Sequence, residues 1–493
     1  MISQTFLLSD HSSSMLTKMN IGLPRLLRCT AAALTAIQLL LPLPAHSFSI
    51  GEERLIGEQL LYAVRSEFKV LDDPDIAQYI NGLGRQVLAA AGPQYFDYHF
   101  FVIKNEEFNA FAAPSGLIFF NSGLISTMKS EDQLVSVMAH EVGHVVSRHI
   151  ASRMAKQGKV TALSMLFGLA SLAAGSPALT QGILTGAMAA GATAGLSFSR
   201  QDEEQADRLA FDWLRAMGRD PEAMEAMLKT MRRISRYRSE QLPPYLLTHP
   251  NPEDRLHYVQ SLLELEHSQP VKKRQSKSRQ NSFPFLRFKY RVLSQALESE
   301  DMRRWCASII AAGKNKEESG MARYGLALLS AEDMNFSKAV EQMEQVRREY
   351  PGKDILDIDL AVLYLEAGQI DKALPMLRQA HQHDPADNYA AFHLAKALEK
   401  SGKLAEAERL YLQTAKAMPD YAQIYYELGR LKSRQGKSDV SNFYLAKHYL
   451  YEGRVKQARL LLRKAEKNQS LPSELRNEAK AILERLKKIE DAS

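Results

Sequence analysis

The chain has 493 residues, 45% of them apolar and 24% charged, and a formal net charge of +6. This composition excludes a disordered or fibrous chain and predicts two or three globular domains. The charge excess sits largely in two short stretches, residues 18–28 and 272–279, where no aromatic side chain interleaves with the basic ones, so a nucleic-acid groove is excluded.

Residues 1–47 are expected to form an export signal. Basic residues come first, an apolar run follows over residues 31–43, and Ala45-His46-Ser47 puts small residues on both sides of His46 ahead of a cut after Ser47. The run is short for a membrane span; an uncleaved N-terminal anchor is the alternative, and Met15 and Met19 are alternative starts. Cleavage would leave Cys306 as the mature chain's one cysteine, which allows neither an internal disulfide nor a cysteine metal cluster.

Residues 48–90 read as helix, broken by Asp72-Asp73-Pro74, with a second helix over residues 76–90. The period then changes. Residues 98–103, 108–113 and 117–120 are strand candidates, with Pro114-Ser115-Gly116 as a turn. Ser130 is the expected N-cap, with Gln133 three residues on, of a helix running apolar over residues 134–149. Residues 161–199 contain no charged side chain, and Gly175-Ser176-Pro177 divides them. They read either as a membrane hairpin or as a pair of helices buried in the catalytic domain or under a mobile lid. The second reading is preferred, because each half is short for a span. The polar, basic segment 265–287, with Pro270 and Pro284, is expected to link two domains.

The last third repeats. Pro351, Pro385 and Pro419 are 34 residues apart, as are Ala339, Ala373 and Ala407, and Gly368, Gly402 and Gly436. Three residue types sharing this period define tetratricopeptide helix pairs, which bury their faces only by stacking. Ser441 breaks the alanine series, and Gly453 with Ala458 predicts a degenerate capping unit.

His140-Glu141-Val142-Gly143-His144 lies in the apolar helix. Histidines four apart share one helix face and can hold one Zn²⁺ through ring nitrogens. Glu141, about 100° round the helix, reaches a water whose pKa the metal lowers and is placed to take its proton. A catalytic zinc needs a third protein ligand. His149 falls on roughly the opposite side of a continuous helix, so it is expected at the surface or the helix C-terminus. After Glu141 the next acidic residue is Asp202, so a downstream carboxylate ligand must come from Asp202, Glu203, Glu204 or Asp207. Glu203 and Asp207 are four apart and share a face; one can bind metal while the other orients a ligand histidine.

These residues together resemble the M48 peptidases, whose pattern is HExxH followed by SRxxExxAD, here residues 199–207. The resemblance implies His140, His144 and Glu203 as ligands of one zinc ion per chain, with Glu141 and Asp207 in catalytic roles. Asn109, Ala110, Phe111 and Ala112 resemble the segment preceding the helix in that family, which implies an edge strand to which substrate backbone adds; Ser115 replaces a family glycine. Thr248-His249-Pro250, Pro252 and Arg255 resemble a further family element, implying His249 as a fourth zinc ligand or gate. The implied fold is mainly α: a zincin-type α+β catalytic domain with a small sheet, and an α-solenoid of tetratricopeptide pairs. The expected domains are a signal at 1–47, a metallopeptidase at 48–264, a linker at 265–287 and repeats at 288–490.

The full layout is similar to the exported, repeat-bearing members of the family. That implies a periplasmic endopeptidase for unfolded or stalled outer-membrane proteins, contact with the barrel assembly machinery through the repeats, and peripheral membrane contact. It departs from better-known members, which carry cysteines in the repeats. The alternatives are a chaperone-like assembly adaptor with little proteolysis and an integral-membrane peptidase of the same family.

Overall fold

A computed structural model describes residues 49–157, 197–237, 244–268 and 282–491. The expected export signal, most of the uncharged segment 161–199 and the middle of the expected linker lie outside the described residues. No helix among the described residues is long and apolar enough to cross a membrane.

Helix α1 (Ile50–Glu67) starts at a reciprocal cap, Ser49 with Glu52. Helix α2 (Pro74–Ala91) starts at Pro74, where the missing N–H is harmless, behind an Asp73 cap. Three strands follow: β1 (His99–Ile103), β2 (Ala110–Ala113) and β3 (Leu117–Asn121). Their order is β1-β3-β2, with β1 parallel and β2 antiparallel to β3, so β2 is an edge strand. Ser115, in the turn between β2 and β3, takes a left-handed φ of 64° that a glycine would adopt without strain.

Helices α3 (Ser122–Thr127), α4 (Glu131–Val146) and α5 (His149–Gln157) come next. Helix α4 is buried on all sides from Asp132 to Val145, as a helix at the centre of a core must be. The continuous helix expected to residue 149 is broken instead. Arg148 takes a φ of 54° and pairs with Glu53, and α5 starts afresh at His149. Helices α6 (Arg200–Ala216), α7 (Glu222–Tyr237), α8 (Pro244–Thr248) and α9 (Pro252–His267) complete the catalytic half.

The repeat half comprises α10 (Phe283–Ala296), α11 (Ser299–Ala312), α12 (Lys316–Glu332), α13 (Phe336–Glu349), α14 (Ile355–Glu366), α15 (Ile370–His383), α16 (Asn388–Lys400), α17 (Leu404–Ala417), α18 (Ala422–Arg434), α19 (Ser438–Tyr451), α20 (Val455–Lys467) and α21 (Ser473–Asp491). Gly368, Gly402 and Gly436 all turn at positive φ, and Ala339, Ala373 and Ala407 are fully buried, so the period marks equivalent positions. Helices α14 and α16 are buried nearly all round, whereas α15 and α17 bury only a stripe.

Both ends of the expected linker are helical. Residues 265–267 finish α9, and residues 283–287 open α10 with Phe283, Phe285, Leu286 and Arg287 buried. Alternation of apolar and basic residues there is helical amphipathicity, not linker composition. Helix α10 stitches the two halves together. Phe288 stacks on Tyr79 at 4.4 Å, and Lys289 donates to the Met128 carbonyl at 2.8 Å. Arg287 grips Asp359 at 2.7 and 2.8 Å and Asp75 at 2.8 Å, while Arg291 holds Asp73 at 3.0 Å and Asp359 at 3.1 Å. Buried charges are tolerated only when satisfied this fully.

The far end of the repeats also docks on the catalytic half. His99 meets Asp420 at 2.5 Å, Arg485 pairs with Glu58, and the Gly453 turn sits on the end of α1. A Cβ on Gly453 would lie 2.5 Å from Ser66 N and 2.6 Å from Tyr62 O, whereas one on Gly436 meets nothing within 4 Å. Both glycines have positive φ, so alanine strains each equally. Gly453→Ala should therefore cost about 1–3 kcal/mol more than Gly436→Ala in denaturant unfolding; equal losses would show that this contact contributes nothing.

Candidate metal centre

The centre is assembled from three elements. Helix α4 is fixed at its start by Ser130, which accepts from Gln133 N at 3.3 Å, and by Arg219, which holds Asp132 at 2.7 Å and Glu131 at 2.9 Å. It presents His140 and His144 with Nε2 atoms 3.1 Å apart. Helix α6 opens at a Ser199–Asp202 reciprocal cap and brings Glu203 and Asp207 to the same place. Just beyond α8, His249 enters from the third side; its backbone N–H donates to the Tyr245 carbonyl at 2.8 Å and its ring stacks on Tyr245 at 4.3 Å.

Donor atoms of His140, His144, Glu203 and His249 all lie within 4.8 Å of one another. A tetrahedral ion with bonds of about 2.0–2.1 Å to N and O sets ligand edges of about 3.3 Å. The observed donor separations are 3.1 Å for His140–His144 and 3.3 Å for His140–His249, with Glu203 Oε1 3.4 Å from His144 and 2.9 Å from His249 and Glu203 Oε2 3.5 Å from His140. The residues present fit a small divalent cation.

Charge and hydrogen bonding agree with the distances. His140, Glu141, His144, Glu203, Asp207 and His249 are each no more than 2% exposed. The carboxyls of Glu203 and Asp207 share one buried guanidinium, Arg255. Neither oxygen of Glu141 finds a hydrogen-bond partner among the described residues, and His249 Nε2 lies 3.5 Å from its Oε1. A fully buried carboxyl so placed is costly unless the site's own chemistry uses it.

Asp207 accepts a contact from His140 Nδ1 at 2.8 Å and is held by Arg255 at 2.7 and 2.8 Å. It therefore orients a ligand histidine through the nitrogen facing away from the cation site. Burial and Arg255 both oppose a proton on His140, but Asp207 and Glu203 outweigh them and push its pKa up to about 9. Burial holds His144 well below the ordinary imidazole value. Burial works against charge on Glu203 too, yet His249 and Arg255 hold it well below the usual carboxylate range.

Of the expected site residues, His140, Glu141, His144, Glu203, Asp207 and His249 converge in one cluster. Asn109 precedes β2, whose residues Ala110, Phe111 and Ala112 lie on the sheet edge, and β2 packs against α4. The expectation for His149 is overturned. It is 6% exposed, its Nδ1 lies 3.0 Å from His144 Nδ1, and its Nε2 lies 3.0 Å from Gln205 Oε1. The chain break at Arg148 resets the helix rotation that put it on the far side. Phe198, which stacks on His144 at 3.8 Å, carries no sequence signal of its own. Arg255 was legible only as part of a family element, and the structure makes it the counter-charge of both Asp207 and Glu203, the latter at 2.8 Å.

The fold and this centre define a metallopeptidase. The Peptidase family M48 pattern matches residues 74–263, and a tetratricopeptide repeat pattern matches residues 365–428. The chain belongs to the M48 family, and it is a metalloendopeptidase. It is 30% identical over 455 residues to the beta-barrel assembly-enhancing protease of Escherichia coli (strain K12), covering 90% of each chain. The Yersinia pestis protein of that name is 27% identical over 416 residues, 84% of this chain and 83% of that one. The mitochondrial metalloendopeptidase OMA1 of Schizosaccharomyces pombe is 26% identical over 188 residues, 38% of this chain and 52% of its own length.

A cation must displace the proton that His140 holds below about pH 9. The apparent affinity for Zn²⁺ should therefore fall by up to about tenfold for each pH unit below that value, one proton being released per ion bound. Chelator-competition titrations across about pH 7 to 9 measure the slope, and a flat profile would contradict the proton assignment.

Proposed function

We propose that this chain is a zinc-dependent endopeptidase of the bacterial envelope that degrades misfolded or stalled outer-membrane proteins and assists barrel assembly. The observation that carries the reading is the four-donor cluster of His140, His144, Glu203 and His249 beside the buried Glu141 carboxyl, which has no hydrogen-bond partner among the described residues. His140, His144 and Glu203 would hold one Zn²⁺ per chain, the set expected for a catalytic site that keeps one position for substrate or water. Zinc bound there supplies Lewis acidity and brings the pKa of a water down toward neutrality. Glu141 would serve as the general base that accepts a proton from the attacking water and, as general acid, deliver it to the leaving amine. Asp207, backed by Arg255, holds His140 in orientation.

Asn109 and the short strand β2 that it leads into, with Ala110, Phe111 and Ala112, form the ledge to which an extended substrate backbone adds, so that main-chain hydrogen bonds rather than side-chain pockets select the cut. The repeats recruit unfolded or stalled outer-membrane proteins and contact the barrel assembly machinery. Residues 1–47 direct the chain to the periplasm and are removed, residues 48–264 form the catalytic domain, and residues 288–490 form the repeat domain. Contact with the membrane is peripheral, and nucleic acid is not a partner. The Escherichia coli and Yersinia pestis proteins that match 90% and 84% of this chain are named beta-barrel assembly-enhancing proteases, which supports this reading.

His249 gates the site. Its Nδ1 stands at the fourth corner, 3.3 Å from His140 Nε2, and its Nε2 faces Glu141. With that corner taken, substrate and water are kept off, and α8 must move to admit them. The same closure favours a second reading, a chaperone-like assembly adaptor with mainly repeat-mediated binding and little proteolysis.

Glu141→Gln should retain one zinc per chain and lose casein cleavage by about 10²–10⁴-fold. Loss of zinc in that variant would sink the general-base assignment; full support of barrel assembly by it would favour the adaptor. His249→Ala should raise basal cleavage. Unchanged or lower activity in a folded protein would remove the gate.

A further inference from the structure

We propose that His149 is a positioning residue that fixes the ring tautomer of His144 and so aims a lone pair, not an N–H, at the cation site. The inference rests on the metallopeptidase reading and adds to it a residue outside the ligand set.

His149 Nε2 lies 3.0 Å from Gln205 Oε1 and 3.6 Å from Asp202 Oδ1. Both neighbours are acceptors, so this nitrogen carries the proton. A neutral imidazole has one N–H, which leaves a lone pair on His149 Nδ1. That lone pair is 3.0 Å from His144 Nδ1, so His144 Nδ1 must donate to it. With its single proton committed there, His144 keeps a lone pair on Nε2. That is the nitrogen 3.1 Å from His140 Nε2 and 3.4 Å from Glu203 Oε1, facing the other donors.

The ring plane is held as well as the tautomer. Phe198 stacks on His144 at 3.8 Å, and the Arg153 guanidinium lies over the Phe198 ring, 4.4 Å from its centroid. The Phe198 N–H donates to the Thr248 carbonyl at 2.8 Å, tying this stack to the segment that carries His249. The two ligand histidines are thus oriented differently. His140 leans on an anion, Asp207, which is itself neutralised by Arg255, while His144 leans on a neutral ring.

Orienting partners of ligand histidines are worth about 10–100-fold in metal affinity. His149→Phe fills the ring's space without an acceptor and should weaken Zn²⁺ binding by about that factor in chelator competition. His149→Asn, whose side-chain oxygen can replace Nδ1 as acceptor, should recover most of the loss. Histidine-selective ¹⁵N NMR of the wild-type chain should find His149 as the neutral Nε2–H tautomer, a readout that packing alone would not fix. Undiminished zinc affinity in His149→Phe, equal losses in both variants, or an Nδ1–H tautomer would each overturn the proposal. Failure of the wild-type chain to bind one zinc would overturn the metal reading itself, and this inference with it, which is distinguishable from normal wild-type binding with an unaffected variant.

Discussion

The metal centre depends on how closely α4 and α6 cross, and that is set by Gly143. This residue lies between the two ligand histidines in sequence and against Ala206 in space. A Cβ there would stand 3.2 Å from Ala206 Cα and 3.3 Å from its carbonyl oxygen. Glycine in a helix interior costs about 1 kcal/mol relative to alanine. Here the absent side chain lets a second helix come within reach of the first. Glu203 and Asp207 flank Ala206 on one face, so one close contact delivers both carboxyls to the histidine pair. The HExxH spacing alone aligns two nitrogens; the crossing supplies the third donor and the carboxylate that orients His140.

Once those carboxyls are buried, the remaining residues follow from charge. Arg255 is required because Asp207 and Glu203 cannot be left uncompensated in the interior. It reaches them because Asn251, at a φ of 57°, turns the chain directly from the His249 segment into α9. His249 and Arg255 are six residues apart on one strap, so the segment that brings His249 to the cluster also carries the counter-charge of Glu203.

Much of this was legible in the sequence because it depends on local periodicity. The four-residue spacings of His140–His144 and Glu203–Asp207, the change to strand period around residue 98, and the 34-residue repeat each follow from helix or strand geometry. What was missed depends on single backbone angles or on distant packing. His149 was assigned to the surface because a continuous helix puts it there; Arg148 leaves the helix through a conformation that nothing in its own side chain demands. Residues 283–287 read as linker because they close a polar, basic segment interrupted by Pro270 and Pro284, whereas Arg287 finds Asp75 and Asp359 across 212 and 72 residues of chain. Ser115 occupies a backbone position suited to glycine, and Gly57 opposite it gives the room, since a Cβ on Gly57 would lie 1.9 Å from Ser115 Oγ.

The repeats change meaning for a similar reason. Their sequence predicts a stack of helix pairs with a free inner face, but α14 and α16 are buried on both sides. Asp359 and Tyr389 on those helices are committed to Arg287 and Arg291, Gln78 receives the Asn388 N–H at 2.6 Å, and Asp420 is bound to His99. Part of the repeat layer that would otherwise meet partners is occupied by the catalytic half of the same chain. A partner that binds this inner layer must displace contacts around the start of α2, which lies against the sheet and α4. A partner that binds the outer helices leaves them in place. The first mode would transmit binding toward the HExxH helix, and the second would only tether a substrate nearby.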